Sequence, residues 1–235
     1  MVTTIDTSRD ERVLRVLIAE TVIDLDVVNA LASVLDDVEA GGIDNLVVEF
    51  RNDRDAATGD FPSWTLAAGR DDIRFFARWD ELLSRVSRLE AKTFTLYSGT
   101  VGPAAVHFGF VTDLRLATPG AQLVVSSLAD GGFPGTSAYW LAKFVGLGTA
   151  RTMLMLGATL PAARANEVGL VDLVADTVDT VIGHALDATR SVAPEAAYFT
   201  RRILDDCYLL ESPAAVEQVK AARFKLGMSA LRSAS

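Results

Sequence analysis

The sequence predicts an α/β protein built as one continuous domain, and three observations carry that prediction. Apolar, β-branched runs recur at VLRVLI (13–18), LVVEF (46–50) and TFTLYSG (93–99). Between them lie amphipathic stretches whose apolar residues keep helical spacing, and strands alternating with helices of that length build layered α/β folds. From residue 177 onward the pattern is helical throughout, so a C-terminal helical region over 177–235 is expected to follow an α/β core over 1–176.

The elements follow in order. After the strand at 13–18, Asp24 is placed to cap a helix in which Leu25, Val28, Leu31, Leu35 and Val38 share one side, with Gly41 as the stop. LVVEF reads as a buried strand, and the polar run RNDRDAATGDFPSW behind it reads as a loop. Residues 71–90 repeat the helical pattern, with Ile73, Phe76, Leu82, Leu83, Val86 and Leu89 on one side. TFTLYSG returns to strand, and DLRLAT and AQLVVSS add two short ones. FPGTSAYWLAKFVG, TARTMLMLGATL and PAARANEVGLVDLVA then alternate helix and turn. Pro194 and Pro213 suit helix starts, where a missing N–H costs least, and divide the tail into three helices.

Composition narrows the function. With 22 Lys+Arg against 31 Asp+Glu the net charge is −9, which disfavours nucleic acid as a partner. The single cysteine, Cys207, excludes an internal disulfide and a multi-cysteine metal site, so no metal is expected and a cytoplasmic location fits. The opening MVTTIDTSRDER is polar, and no uncharged apolar run approaches the ~20 residues that cross a bilayer, so no membrane association is expected.

One histidine stands out. In SGTVGPAAVHFGFVTDLRLA (98–117) small residues lead into an apolar run that carries His107 and closes on Asp113-Leu114-Arg115. This stretch resembles, without a gap, the N-G-x-A-x-G-G-G-x-E-L-A-L-A-C-D-L-R-I-A block of the crotonase (enoyl-CoA hydratase/isomerase) superfamily. AQLVVSSLADGGFPG (121–135) resembles the family's A-x-F-G-x-P-E-x-x-L-G-x-x-P-G, and ARTMLMLGATLPAARANEVGLVDLVAD (150–176) resembles its A-x-E-L-L-L-T-G-x-x-L-S-A-E-E-A-x-x-x-G-L-V-D-x-V. The three blocks stand in the right order and cover nearly the whole chain. The resemblance implies a crotonase-like (ClpP/crotonase) spiral of β-β-α units with a C-terminal helical region, and assembly as a homotrimer or hexamer.

It also implies stabilisation of a thioester enolate by two backbone N–H groups aimed at the oxygen where negative charge develops. One family donor falls on Ala104, which keeps its N–H, whereas Pro103 before it has none. The other falls in the loop after LVVEF, on Ala57; a polar surface turn is the alternative reading of that loop. His107 and Ser127 stand where the family's hydratases carry glutamates. With both carboxylates gone, ordinary hydration does not carry over.

His107 then has two readings: an acid or base in the thioester pocket, or a core histidine that makes one buried hydrogen bond. Ser127 could orient a ligand or form a hydrolytic pair with His107. Asp130 could orient His107 or serve as a second acid/base group, or else cap a helix or turn beside Gly131-Gly132. His184 reads as a surface or interface helix residue, and Tyr139 and Trp140 as core packing by default, with pocket-lining aromatics as the alternative. The family's basic CoA-binding segment is replaced by ETVIDLDVVNA, which leaves Arg223 and Lys225 as candidates to hold CoA.

Three functional expectations result. The first is an acyl-CoA enzyme of enolate-stabilised dehydration, hydration or isomerisation, with no cofactor beyond the CoA of its substrate. The second is a catalytically reduced auxiliary subunit that assists a partner biosynthetic enzyme such as a type III polyketide synthase. The third is a thioester hydrolase using His107 and Ser127. The missing glutamates also resemble those of the auxiliary hydratase-like proteins of dihydroxyphenylacetyl-CoA and dihydroxyphenylglycine biosynthesis, in antibiotic pathways.

Overall fold

The computed structural model describes residues 4–19, 23–52, 70–125 and 137–209. Strands β1 (Thr4–Asp10) and β2 (Val13–Ala19) form an antiparallel hairpin, with Thr4 opposite Ala19 and Asp10 opposite Val13. Helix α1 (Leu25–Glu39) returns the chain to β3 (Asn45–Asn52), parallel to β2. Helix α2 (Arg70–Val86) precedes β4 (Lys92–Val101), parallel to β3, and the short α3 (Pro103–Gly109) leads to β5 (Leu114–Ala117), parallel to β4. Strand β6 (Gln122–Val125), helices α4 (Ser137–Val145) and α5 (Leu147–Leu156), strand β7 (Ala158–Pro161), helix α6 (Ala162–Glu167) and strand β8 (Leu173–Val174) follow. Helices α7 (Val178–Ala188) and α8 (Pro194–Leu209) complete the described chain.

The main path across the sheet runs β1-β2-β3-β4-β5-β8, and β6 and β7 lie off it. Strand β4 serves both parts. Lys92 to Gly99 pair with β3 and Phe94 to Tyr97 with β5, while Thr100 and Val101 at its end pair with Gln122 and Leu123 of β6. Strand, helix and return strand succeed one another around this frame, which is the spiral expected from the motif blocks.

Both faces of the central strands are covered, so they read as continuous apolar runs rather than alternating ones. Leu46, Val48 and Phe50 of β3 join Val16, Ile18, Leu31, Leu35, Trp79 and Phe108 in the larger core. Val47, Phe94, Leu96 and Leu116 face the other way, onto Val181, Ile182 and Ala185 of α7. Glu49 is tolerated on that buried face because Arg51 reaches its carboxylate at 2.6 Å.

Local signals place the ends of α1. Asp24 accepts the Val27 N–H at 3.0 Å as N-cap, and Gly41, at φ +95°, takes the left-handed backbone that stops the helix. Pro194 opens α8, while Pro213 lies outside the described residues. Three strands were not legible: β1, which is largely exposed, β7, of four residues, and β8, of two. The helix expected over 71–90 ends at Val86, and Leu89 is buried beyond its end. Among the described residues no helix is long and apolar enough to cross a membrane, and no group of three or more His, Cys, Asp or Glu could hold a metal ion.

Candidate active site

The backbone at the end of β4 sets the site. Asn52, the last residue of β3, lies opposite Gly99, so β3 ends beside the part of β4 that leads into α3, at the carboxyl ends of adjacent parallel strands. Ligands in α/β sheets bind in the crevice outside such ends. Gly102 is extended (φ −84°, ψ 176°) and Pro103 occupies the first helical position, where it pre-sets φ at no cost in hydrogen bonding. The first bond of the helix runs from Val106 N–H to the Gly102 carbonyl at 3.2 Å. Ala104 sits before it, so its N–H has no intrahelical acceptor.

His107 lies one turn further, on the same side of α3 as Ala104 by helical spacing. It is 4% exposed. The indole Nε1–H of Trp79, on α2, donates to His107 Nδ1 at 3.2 Å. Trp79 is itself 1% exposed, stacked on Phe75 at 6.2 Å between centroids and tilted on Phe108. Phe110 flanks the imidazole at 6.3 Å. Burial in these aromatic surroundings penalises the charged form and pulls the His107 pKa down to about 4. At neutral pH the imidazole is uncharged.

The other end of α3 is built differently. Asp113 accepts the Thr93 N–H at 2.7 Å and faces Arg201 of α8, which donates to both its carboxylate oxygens at 2.9 and 3.0 Å. The same guanidinium reaches the carbonyls of Val86, Ser87, Leu89 and Ala91, closing the end of α2. Arg115 is tied to Asp172 at 2.8 Å and lies over the Phe144 ring at 4.2 Å. The Asp-Leu-Arg motif is therefore a structural clamp. Tyr97 packs so closely beneath α3 that a Cβ at Gly109 would overlap its hydroxyl, which is why that position is glycine. The Tyr97 hydroxyl is buried with no hydrogen-bond partner among the described residues, and burial raises its pKa.

Beyond this end lies a cavity of about 630 Å³ walled by Phe94, Phe110, Trp140, Phe144 and Leu204. Of its charges, Arg201 is paired with Asp113 and Lys143 with Asp205 at 3.5 Å within the wall, Arg115 is paired with Asp172 behind it, and Lys92 donates to the Thr189 carbonyl at 2.9 Å. It shares Phe110 with the surroundings of His107, and Ala104 is not among the residues that line it.

Of the residues expected at a site, the structure brings together Ala104 and His107. Ala57, Ser127, Asp130, Arg223 and Lys225 lie outside the described residues. His184 is exposed on α7, as a surface residue. Tyr139 is 42% exposed and meets Trp140 edge-on, and Lys143 sits 4.4 Å above the Trp140 ring, so this pair is only partly core. Sequence reasoning missed Trp79 and Arg201. Trp79 falls three residues after Phe76 and three before Leu82 on the apolar side of α2, and a buried indole needs an acceptor for its N–H; that was the available signal.

The fold agrees with comparisons to known proteins. The enoyl-CoA hydratase/isomerase family model matches residues 23–224. A curated enoyl-CoA-hydratase of Amycolatopsis orientalis is 30% identical over 135 residues, which is 57% of this chain and 62% of that protein, so the match spans less than two thirds of the relative. An enoyl-CoA hydratase from Shewanella pealeana ATCC 700345 superposes with a TM-score of 0.80 at 15% identity, over 97% of this chain and 92% of that one. Pseudomonas aeruginosa AtuE superposes with a TM-score of 0.77 at 22% identity, over 96% and 92%. This chain belongs to the enoyl-CoA hydratase/isomerase family, within the crotonase superfamily.

Proposed function

We propose that the protein binds an acyl-CoA thioester and stabilises the enolate oxygen that develops on it, in a dehydration, hydration or isomerisation of specialised biosynthesis. The observation that carries this reading is the first turn of α3: an Ala104 N–H with no intrahelical acceptor, at the carboxyl end of β4 and beside the end of β3. Ala104 would supply one donor and Ala57, which follows β3 in the sequence, the second. Fixed backbone donors at a developing oxyanion stabilise the transition state without reorganising. His107 serves this pocket together with Ser127 and Asp130, Arg223 and Lys225 hold the CoA, and no further cofactor is needed. A homotrimer or hexamer in the cytoplasm is the expected form.

Calorimetric titration with CoA, acetyl-CoA and an aryl-acetyl-CoA tests the reading. Saturable micromolar binding of a thioester supports it, and no binding at millimolar ligand overturns it.

A second reading is favoured by the neutral, buried state of His107 where the family's hydratases carry a glutamate. On this reading the chain is a catalytically reduced subunit that assists a partner such as a type III polyketide synthase. Co-purification with the partner and a gain in its turnover, undiminished by His107→Ala, would support it; ordinary enzymatic turnover by the isolated protein would exclude it. Hydrolysis through Ser127 requires His107 to accept a proton from the serine, and the Nδ1 lone pair of His107 is already engaged by Trp79.

A further inference from the structure

We propose that Trp79 is a positioning residue that fixes His107 in the neutral tautomer protonated at Nε2, so that the histidine serves its site as a hydrogen-bond donor. The argument starts from the indole, whose Nε1–H only donates. A ring nitrogen 3.2 Å from it must present a lone pair, so Nδ1 is unprotonated. The one proton of a neutral imidazole then sits on Nε2. Moving it to Nδ1, or adding a second proton there, would set two N–H groups against each other.

Neither partner can easily turn away. Trp79 is held between Phe75 and Phe108, its plane within 9° of the Phe75 ring, and His107 is enclosed by Trp79 at 6.4 Å and Phe110 at 6.3 Å between centroids. Both backbones are helical, in α2 and α3, so the 28-residue separation is bridged by two rigid elements. Burial, which already disfavours the imidazolium, acts in the same direction as the hydrogen bond.

The consequence is a reversal of polarity. A carboxylate at position 107, as in the family's hydratases, offers lone pairs and takes up protons; the tautomer set by Trp79 offers an N–H. A neutral imidazole can polarise a carbonyl without becoming charged. The chemistry that suits it is an oxygen acceptor, such as a thioester carbonyl or an enolate oxygen, and not a C–H bond awaiting a base. This last step rests on the proposed thioester function; the tautomer does not.

The test is a long-range ¹H–¹⁵N correlation spectrum of the histidine rings in the ¹⁵N-labelled protein at pH 7. There are only two histidines, and His184→Gln assigns the pair. The expected result is a protonated Nε2 and an unprotonated Nδ1 for His107, with that pattern replaced by a tautomer mixture in Trp79→Phe. An Nδ1-protonated ring or an imidazolium in the parent protein overturns the proposal, as does an unchanged pattern in a folded Trp79→Phe. If that variant fails to fold, the parent spectrum decides. With a CoA thioester that calorimetry shows to be bound, the His107 Nε2 signal should shift; an unmoved signal overturns the donor role. Absence of thioester binding would remove the proposed function and leave the tautomer to be judged by its own spectrum.

Discussion

Two buried polar clusters lie at different points along the α3 region, and they solve the problem of burial in opposite ways. Around Asp113 charges are kept, because Arg201 meets the carboxylate and four main-chain carbonyls at once. Around His107 the charge is given up, and one neutral donor, Trp79, answers one lone pair. A saturated ion pair specifies how α8 and α2 meet the sheet and has no capacity left for a ligand. A neutral imidazole beside the first turn of α3 is held in place by Trp79 and Phe110 and carries no charge that burial must offset. The difference separates scaffold from site.

The largest expected effect breaks the first cluster. Arg201→Ala leaves a carboxylate and several carbonyls buried without their donor, and losing one partner of a buried pair costs about 3–5 kcal/mol. Denaturant unfolding should read this directly, and a variant within 1 kcal/mol of the parent would show that the clamp is not structural.

The second cluster is probed by acid. His107 has a folded pKa of about 4 against an ordinary value of 6.5, so between those values the unfolded chain takes up a proton that the folded chain refuses. Stability from this group is fully present above pH 6.5 and falls as pH drops to 4, by roughly 3 kcal/mol in all. His107→Gln should flatten that part of the stability curve, and an unchanged slope would place the titrating group elsewhere.

Smaller effects sharpen the boundary between the clusters. Gly109→Ala drives a methyl group into Tyr97 and should cost about 1–3 kcal/mol, as overpacking does. Tyr97→Phe removes a buried hydroxyl that has no partner among the described residues, so it should be neutral or stabilising by about 1 kcal/mol, and it should relieve part of the Gly109→Ala cost in a double-mutant cycle.

The legibility of the molecule followed the physics of each element. Helix α1 was readable to its ends because its core contacts repeat every three or four residues and both ends carry side-chain or glycine signals. Helix α3 was not, since seven residues with proline at the start and glycine at the end are too few to display a period. Strand β1 lies at the sheet edge with polar side chains exposed on both faces, so it lacks the alternation that marks a half-buried strand. At the site, Ala104 and His107 were legible through the motif alone. The bond between His107 and Trp79 was not, because it depends on how two helices pack rather than on any spacing along the chain.

Strand β4 has a consequence for how this lineage can drift. Its body is held by β3 and β5 and its tip by β6, so the point where α3 begins is surveyed from three directions by main-chain bonds. Side chains along α3 can be exchanged, glutamate for histidine or glycine for alanine, without relocating that point. An alanine scan has nothing to replace at Ala104; exchanging its amide for an ester would make that donor audible.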